Sequence, residues 1–127
     1  MVVRENDTAD TLKEKVRIAT IIGTMQSTLT NFRYLNRKWT ENCEEERLLG
    51  VSLTGIMDNP LTNGKKKGLE DLLQDLRACA VATNKEWAKK LGILPSVAIT
   101  CVKPSGTVSQ LVDSASGIHA RHNPYYT

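Results

Sequence analysis

The chain has 127 residues, of which 40% are hydrophobic and 24% charged, and a net charge of +3. That charge is too small and dispersed for a nucleic-acid-binding face, and no run reaches the ~18 uninterrupted apolar residues of a membrane span. The first residues lack a basic-then-apolar secretory pattern, so the expected location is the cytoplasm, with no nucleic-acid or membrane partner.

Met1-Val2-Val3-Arg4-Glu5 reads as the tail of a strand. Asp10 or Thr11 is the expected cap of a first helix, with Thr11 and Glu14 at capping-box spacing. Leu12, Val16, Ala19, Ile22, Met25, Leu29 and Phe32 then recur at three- and four-residue steps. Ile18 and Ile21 widen the stripe, as on a helix covered on more than one side. Trp39 and Thr40-Glu41-Asn42 read as a connection, and Glu44, Glu45 and Glu46 before Arg47 as a short solvated turn or helix.

Leu-Leu-Gly-Val-Ser-Leu-Thr at 48–54 has the short apolar character of a barrel strand, with Gly50 and Gly55 permitting close backbone approach or a bulge. Asp58-Asn59-Pro60 ends this region, and Asn63-Gly64 turns into a solvated loop tip of Lys65, Lys66 and Lys67. Gly68 precedes a second long helix, whose Leu69, Leu72, Leu73, Leu76, Ala80, Thr83, Trp87 and Leu91 share one face. Gly92 and Pro95 stop it. A β-branched run at 97–102 forms the next strand. Strand, helix, strand in this order is the grammar of an α/β fold with a parallel sheet or barrel, in which ligands sit at the carboxyl ends of the strands.

The turn Pro104-Ser105-Gly106-Thr107 lies at such an end and leads into a helix start at Val108 and Ser109. Pro104 cannot join a ladder, Gly106 lets a ligand approach the backbone, and hydroxyls flank the free N–H groups of a helix beginning. Two readings remain open on these residues alone: an ordinary helix cap, or an anion cradle.

Cys43, Cys79 and Cys101 are odd in number and widely spaced, without the short pairing of a zinc or redox site, and are expected to remain thiols. Cys79 on a helix and Cys101 within a strand would serve as small apolar side chains. His119 and His122 have neither a third ligand nor a carboxylate beside them and read as surface or structural residues. No catalytic or metal-binding residue is assigned.

The string Val-Lys-Pro-Ser-Gly-Thr-Val-Ser-Gln-Leu at 102–111, continued by Val-Asp-Ser-Ala-Ser-Gly-Ile-His at 112–119, resembles the substrate-phosphate loop of adenosylcobalamin-dependent (class II) ribonucleotide reductases of the ribonucleoside-triphosphate reductase type. Arg-Ile-Ala-Thr-Ile-Ile-Gly-Thr-Met-Gln-Ser-Thr-Leu-Thr-Asn-Phe-Arg-Tyr-Leu at 17–35 and Glu-Glu-Arg-Leu-Leu-Gly-Val-Ser-Leu-Thr-Gly-Ile-Met at 45–57 are similar to the same family in the same order. The resemblance implies that residues 1–127 are a partial segment of the family's ten-stranded α/β catalytic barrel, an internal piece from its C-terminal side with no complete domain boundary. Pro124-Tyr125-Tyr126-Thr127 fits this by stopping in mid-element.

The family reduces ribonucleotides to deoxyribonucleotides for DNA synthesis by thiyl-radical chemistry, using adenosylcobalamin and a thioredoxin-like reductant. By that resemblance Ser105 and Thr107 would bind the substrate's phosphates through their hydroxyls, Gly106 and Val108 through their N–H groups, and Ser109 more weakly. Implied partners are a ribonucleoside di- or triphosphate and the remaining reductase polypeptide. The family's radical loop, Asn-Pro-Cys-Gly-Glu, is not matched by Asn42-Cys43-Glu44-Glu45, so the isolated chain is expected to be inactive. The alternative is a non-catalytic nucleotide-binding or assembly fragment that docks to other reductase pieces.

Overall fold

The structure, a computed structural model, describes residues 1–103 and 105–123; Pro104 of the predicted turn and the predicted mid-element stop at 124–127 lie outside the described residues. Among the described residues four α-helices succeed one another: α1 (Ala9–Gln26), α2 (Arg37–Glu46), α3 (Leu69–Leu91) and the single-turn α4 (Val108–Leu111), with a 3₁₀ turn at Ile56–Asp58.

Helix α1 begins earlier than the sequence suggested. Thr8, not Asp10 or Thr11, is the N-cap: its hydroxyl accepts from the Thr11 amide at 3.3 Å while the Thr11 hydroxyl accepts from the Thr8 amide at 2.8 Å. A threonine at the third helical position thus closes the capping box that glutamate was expected to close. The helix also stops short of Leu29 and Phe32. Ser27 and Thr28 turn their hydroxyls onto the Thr24 and Met25 carbonyls, at 2.7 Å each, and so compete for the acceptors of the last turn.

Its buried face differs too. Leu12, Val16, Thr20 and Thr24 are buried at strict four-residue steps, whereas Ile18, Ile22 and Met25 are exposed. The two threonines pass inside because each hydroxyl donates back along the helix, Thr20 to the Val16 carbonyl at 2.8 Å and Thr24 to the Thr20 carbonyl at 2.7 Å. The stretch read as a connection at Trp39 is helical: Asn36 caps α2 by accepting from the Lys38 amide, and none of the helix's residues is buried.

Helix α3 has the boundaries the glycines implied, with Gly68 before it and Gly92 after it, the latter in the left-handed region at φ +67°. Leu76, Ala80, Thr83, Asn84 and Ala88 face inward, while Leu73 and Leu91 do not. The helix packs on α1 in parallel: Lys13 meets Asp75 at 3.4 Å near the start of the contact, and Thr24 meets Asn84 at 3.0 Å near its end. Asn84 is fully buried. Its amide donates to Thr24 Oγ1 and to Ser96 Oγ at 3.1 Å, and its Oδ1 accepts from the Ser96 amide at 2.9 Å, so one side chain ties both helices to the segment after α3.

The expected barrel strands do not form as strands. Among the described residues there is no sheet or barrel, only two isolated parallel bridges, Val2 with Thr54 and Val51 with Thr100. A parallel ladder repeats every two residues on both partners. Here Leu49 and Val51, two apart, donate to the Ala98 and Ile99 carbonyls, one apart, and this slip breaks the repeat. At the other bridge, pairing ends where Gly55 turns into the left-handed region at φ +77°. An added Cβ there would sit 2.7 Å from the Val3 carbonyl oxygen, so only glycine fits.

The three extended segments nonetheless lie side by side in one direction and bury one face. Val3 and Ile99, with Leu49, Val51 and Leu53, pack on Leu12, Val16, Leu76 and Ala80 of the two helices. Cys79 is half-buried on α3 as expected, whereas Cys101 is exposed rather than packed, because the broken ladder leaves its segment uncovered.

Replacing Asn84 by Ala should cost about 3 kcal/mol, because it strands the buried Thr24 and Ser96 groups without partners; the midpoint and slope of urea unfolding would measure it. Asp7 sets a pH dependence. Burial pushes its carboxyl up, but the Lys15 ammonium at 2.5 Å, the Arg4 amide at 2.7 Å and the Thr11 hydroxyl at 3.0 Å together outweigh burial and hold it below the usual carboxylate range. A depressed pKa contributes stability that is complete above the unfolded value of about 3.9 and is lost as pH falls through the folded value. Unfolding midpoints should therefore drop below about pH 4, and Asp7→Asn should lower stability at neutral pH while flattening that acid limb.

Candidate functional site

Along 49–54 the side chains alternate as an extended segment requires. Leu49, Val51 and Leu53 pack on the helix-covered core, which leaves the small residues Gly50, Ser52 and Thr54 for the other face. Thr54 closes the segment at its carboxyl end, where its backbone is tied to the first extended segment: its amide donates to the Met1 carbonyl and its carbonyl accepts from the Val3 amide. The predicted loop arrives at the same place.

Ser105 is half-buried, and its Oγ lies 2.7 Å from Thr54 Oγ1. Gly106 has φ +23° and nothing within 4 Å of where a Cβ would stand, so its backbone faces open space. Thr107 precedes α4, yet its side chain makes no capping hydrogen bond and is exposed. Among the described residues, the amides of Gly106, Thr107 and Val108 have no acceptor. Ser109 behaves differently. It is fully buried, its hydroxyl donates to the Gly106 carbonyl at 2.8 Å, and its amide donates to the Ser105 carbonyl at 3.2 Å. The five predicted residues thus form one turn, in which Ser109 braces the backbone while Ser105, Gly106, Thr107 and Val108 present donors.

Several residues that shape this turn had no role in it assigned from the sequence, although Asp58 and Asn59 marked the end of the second extended segment. Thr54 receives the Gly117 amide at 3.1 Å and donates to the Ala115 carbonyl at 3.2 Å, so the segment after α4 folds back over it. Asp58 accepts from the Ala115 amide at 2.8 Å and from Arg121 Nε at 3.1 Å, while Arg121 Nη1 reaches Asp113 at 2.7 Å. Those contacts with Arg121 hold the exposed Asp113 carboxyl below the usual range. Arg4 donates to the Val112 and Asp113 carbonyls, both at 2.6 Å, and Asn59, fully buried, donates to the Arg4 and Asp7 carbonyls. Their only signal in the sequence is their position just after an apolar run or near a glycine, which many loop residues share. His119 and His122 are exposed on the same returning segment.

A crevice of about 590 Å³ opens between α3 and the extended segments, lined by apolar side chains such as Leu53, Leu73, Leu76 and Val102. It shares Lys103 and Gly117 with the neighbourhood of the loop but none of the loop's hydroxyls. Among the described residues no three His, Cys, Asp or Glu side chains gather where a metal ion could sit, and no helix is long and apolar enough to cross a membrane. The donors at the loop are neutral hydroxyls and amides, which suit the oxygens of an anion and supply no ligand set for cobalt.

No family model and no solved structure matches the chain. Curated relatives do. The adenosylcobalamin-dependent ribonucleoside-triphosphate reductase of Lactobacillus acidophilus is 28% identical over 106 residues, covering 65% of this chain and 14% of that protein. Those of Lactobacillus delbrueckii subsp. bulgaricus and Lactobacillus leichmannii are each 28% identical over 109 residues, covering 67% of this chain and 15% of theirs. The chain therefore spans about one seventh of the length of the relatives it matches. Over about two thirds of its own length, this chain is similar to adenosylcobalamin-dependent ribonucleoside-triphosphate reductases and carries a ribonucleotide reductase family resemblance.

Proposed function

We propose that residues 1–127 are part of the catalytic α/β barrel of a cytoplasmic, adenosylcobalamin-dependent ribonucleotide reductase, and that the turn at 105–109 holds the phosphates of a ribonucleoside triphosphate. The observation that carries this reading is a set of donors on one exposed turn that have no acceptor among the described residues: the amides of Gly106, Thr107 and Val108 and the Thr107 hydroxyl, beside the Ser105 hydroxyl. A capping threonine would spend its hydroxyl on its own helix, and Thr107 does not. The triphosphate is favoured over the diphosphate by the names of the relatives.

In this reading the radical chemistry that replaces the ribose 2′-hydroxyl by hydrogen belongs to adenosylcobalamin, when bound, and to a cysteine of the remaining polypeptide. This chain's residues bind and orient. Ser105 and Thr107 donate from their hydroxyls and Gly106 and Val108 from their amides, fixing the phosphates while the ribose stays free to react; Ser109 keeps the turn's shape. Exposed apolar side chains, among them Ile22, Val97, Val102 and Leu111, favour docking of this piece against the remaining reductase polypeptide.

Titration of the chain with a ribonucleoside triphosphate, followed by NMR, should move the amide signals of residues 106–108. Ser105→Ala and Thr107→Val should each weaken binding roughly ten- to a hundredfold, since a hydrogen bond to a charged group contributes about 1.5–3 kcal/mol, with little change in melting temperature. Unchanged affinity with a lowered melting temperature would return the turn to a structural role. Incubated with adenosylcobalamin, a dithiol and the four ribonucleotides, the chain alone should form no deoxynucleotide, because a reaction shared among several groups collapses when its radical group is missing; turnover by the pure chain would sink that assignment.

A further inference from the structure

We propose that Thr54 is a positioning residue for this turn, whose hydroxyl acts as a relay that sets whether Ser105 can donate to an anion. Thr54 Oγ1 is buried at the meeting of three groups: Ser105 Oγ at 2.7 Å, the Gly117 amide at 3.1 Å and the Ala115 carbonyl at 3.2 Å. A hydroxyl has one proton and two acceptor sites. With its proton on the Ala115 carbonyl, Thr54 accepts from both Gly117 and Ser105. The Ser105 proton is then turned inward, and an approaching anion meets only lone pairs.

The opposite polarity is close at hand. If Thr54 turns its proton to Ser105, the Ser105 oxygen accepts, and its own proton is released to point outward. The bond given up is the longest of the three, and the Ala115 carbonyl keeps the Gly55 amide at 2.9 Å, so no buried acceptor is stranded. Gly117 still donates to Thr54 throughout. An anion at the turn favours the second arrangement, in which Thr54, Ser105 and the anion form one directed chain of hydrogen bonds and each bond polarises the next. The change needs only rotation of two hydroxyls, with no movement of the backbone.

This inference rests on the phosphate reading, and its test separates the two. Inorganic tripolyphosphate is titrated against the chain and monitored at the amides of residues 106–108, with melting temperatures recorded for every variant. Thr54→Ser keeps the relay and should bind within about twofold of wild type; Thr54→Val removes the bond that holds the Ser105 oxygen in place, so Ser105 no longer donates in a fixed direction, and should bind about tenfold more weakly. If Thr54→Val does not fold, Thr54→Cys, similar in size but a poor donor, takes its place with the same expectation. In a Ser105→Ala background, Thr54→Val should cause no further loss, since Thr54 acts through Ser105. Full binding by the Thr54 variant alongside weakened Ser105→Ala, or equal added loss in the double variant, overturns the relay and leaves phosphate binding standing. Wild-type binding by Ser105→Ala, or no binding by the wild-type chain, overturns both.

Discussion

The parallel packing of α1 on α3 is the constraint on which the other relationships depend. Two helices that run in the same direction, each joining one extended segment to the next, oblige all three segments to run in parallel and to end on the same side. Thr54 ends the second segment, and Ser105 comes just after the third, so their hydroxyls meet only because the helices hold the two ends level. Asn84 fixes that level. It joins Thr24 near the end of α1 to Ser96 at the entry to the third segment, so sliding one helix along the other would break bonds inside the core rather than at its surface.

A second set of polar contacts performs the same service around the turn. Asn59 gathers the carbonyls of the Arg4–Asp7 bend, Arg4 reaches across to the carbonyls at 112 and 113, and Asp58 and Arg121 clamp the segment that returns over Thr54. Arg121 is about half exposed, so its ion pairs add little to global stability. Their consequence is geometric: Asp58 binds a backbone amide as well as a side chain, and that amide belongs to Ala115, whose carbonyl faces Thr54. The clamp and the candidate site share a peptide's width of chain.

Features decided by local chemistry were legible in the sequence, and features decided by tertiary contact were not. Gly68 and Gly92 bound α3 because left-handed backbone at a helix end is a property of one residue type, readable without tertiary context. The buried face of α1 was not legible past Val16: Ile18 and Ile22 outrank Thr20 and Thr24 on any apolar scale, yet the threonines are inside, satisfied by their own helix. The apolar runs at 48–54 and 97–102 marked segments that do lie in parallel, but a run of β-branched residues cannot reveal a slip of register between partners. The turn at 105–109 was visible as a string; Thr54, about fifty residues away in sequence, was not, because only the fold brings it there.

The division of labour among the turn's hydroxyls bears on what such a site can do. Ser109 is wholly spent on the backbone, Thr107 on no cap of its helix, and Ser105 is shared with a partner that can either take or give a proton. On the proposed reading, a phosphate meets neutral donors rather than lysine or arginine forks, and these attract it less strongly at a distance but demand closer alignment. Affinity then depends on how well the donors are aimed before the ligand arrives, since an anion that had to reorder the turn would lose part of each bond to ordering. Ser109 braces the carbonyl of Gly106 and Thr54 fixes the position of the Ser105 oxygen, so on this reading only hydroxyl protons, not the turn, reorder when the anion arrives.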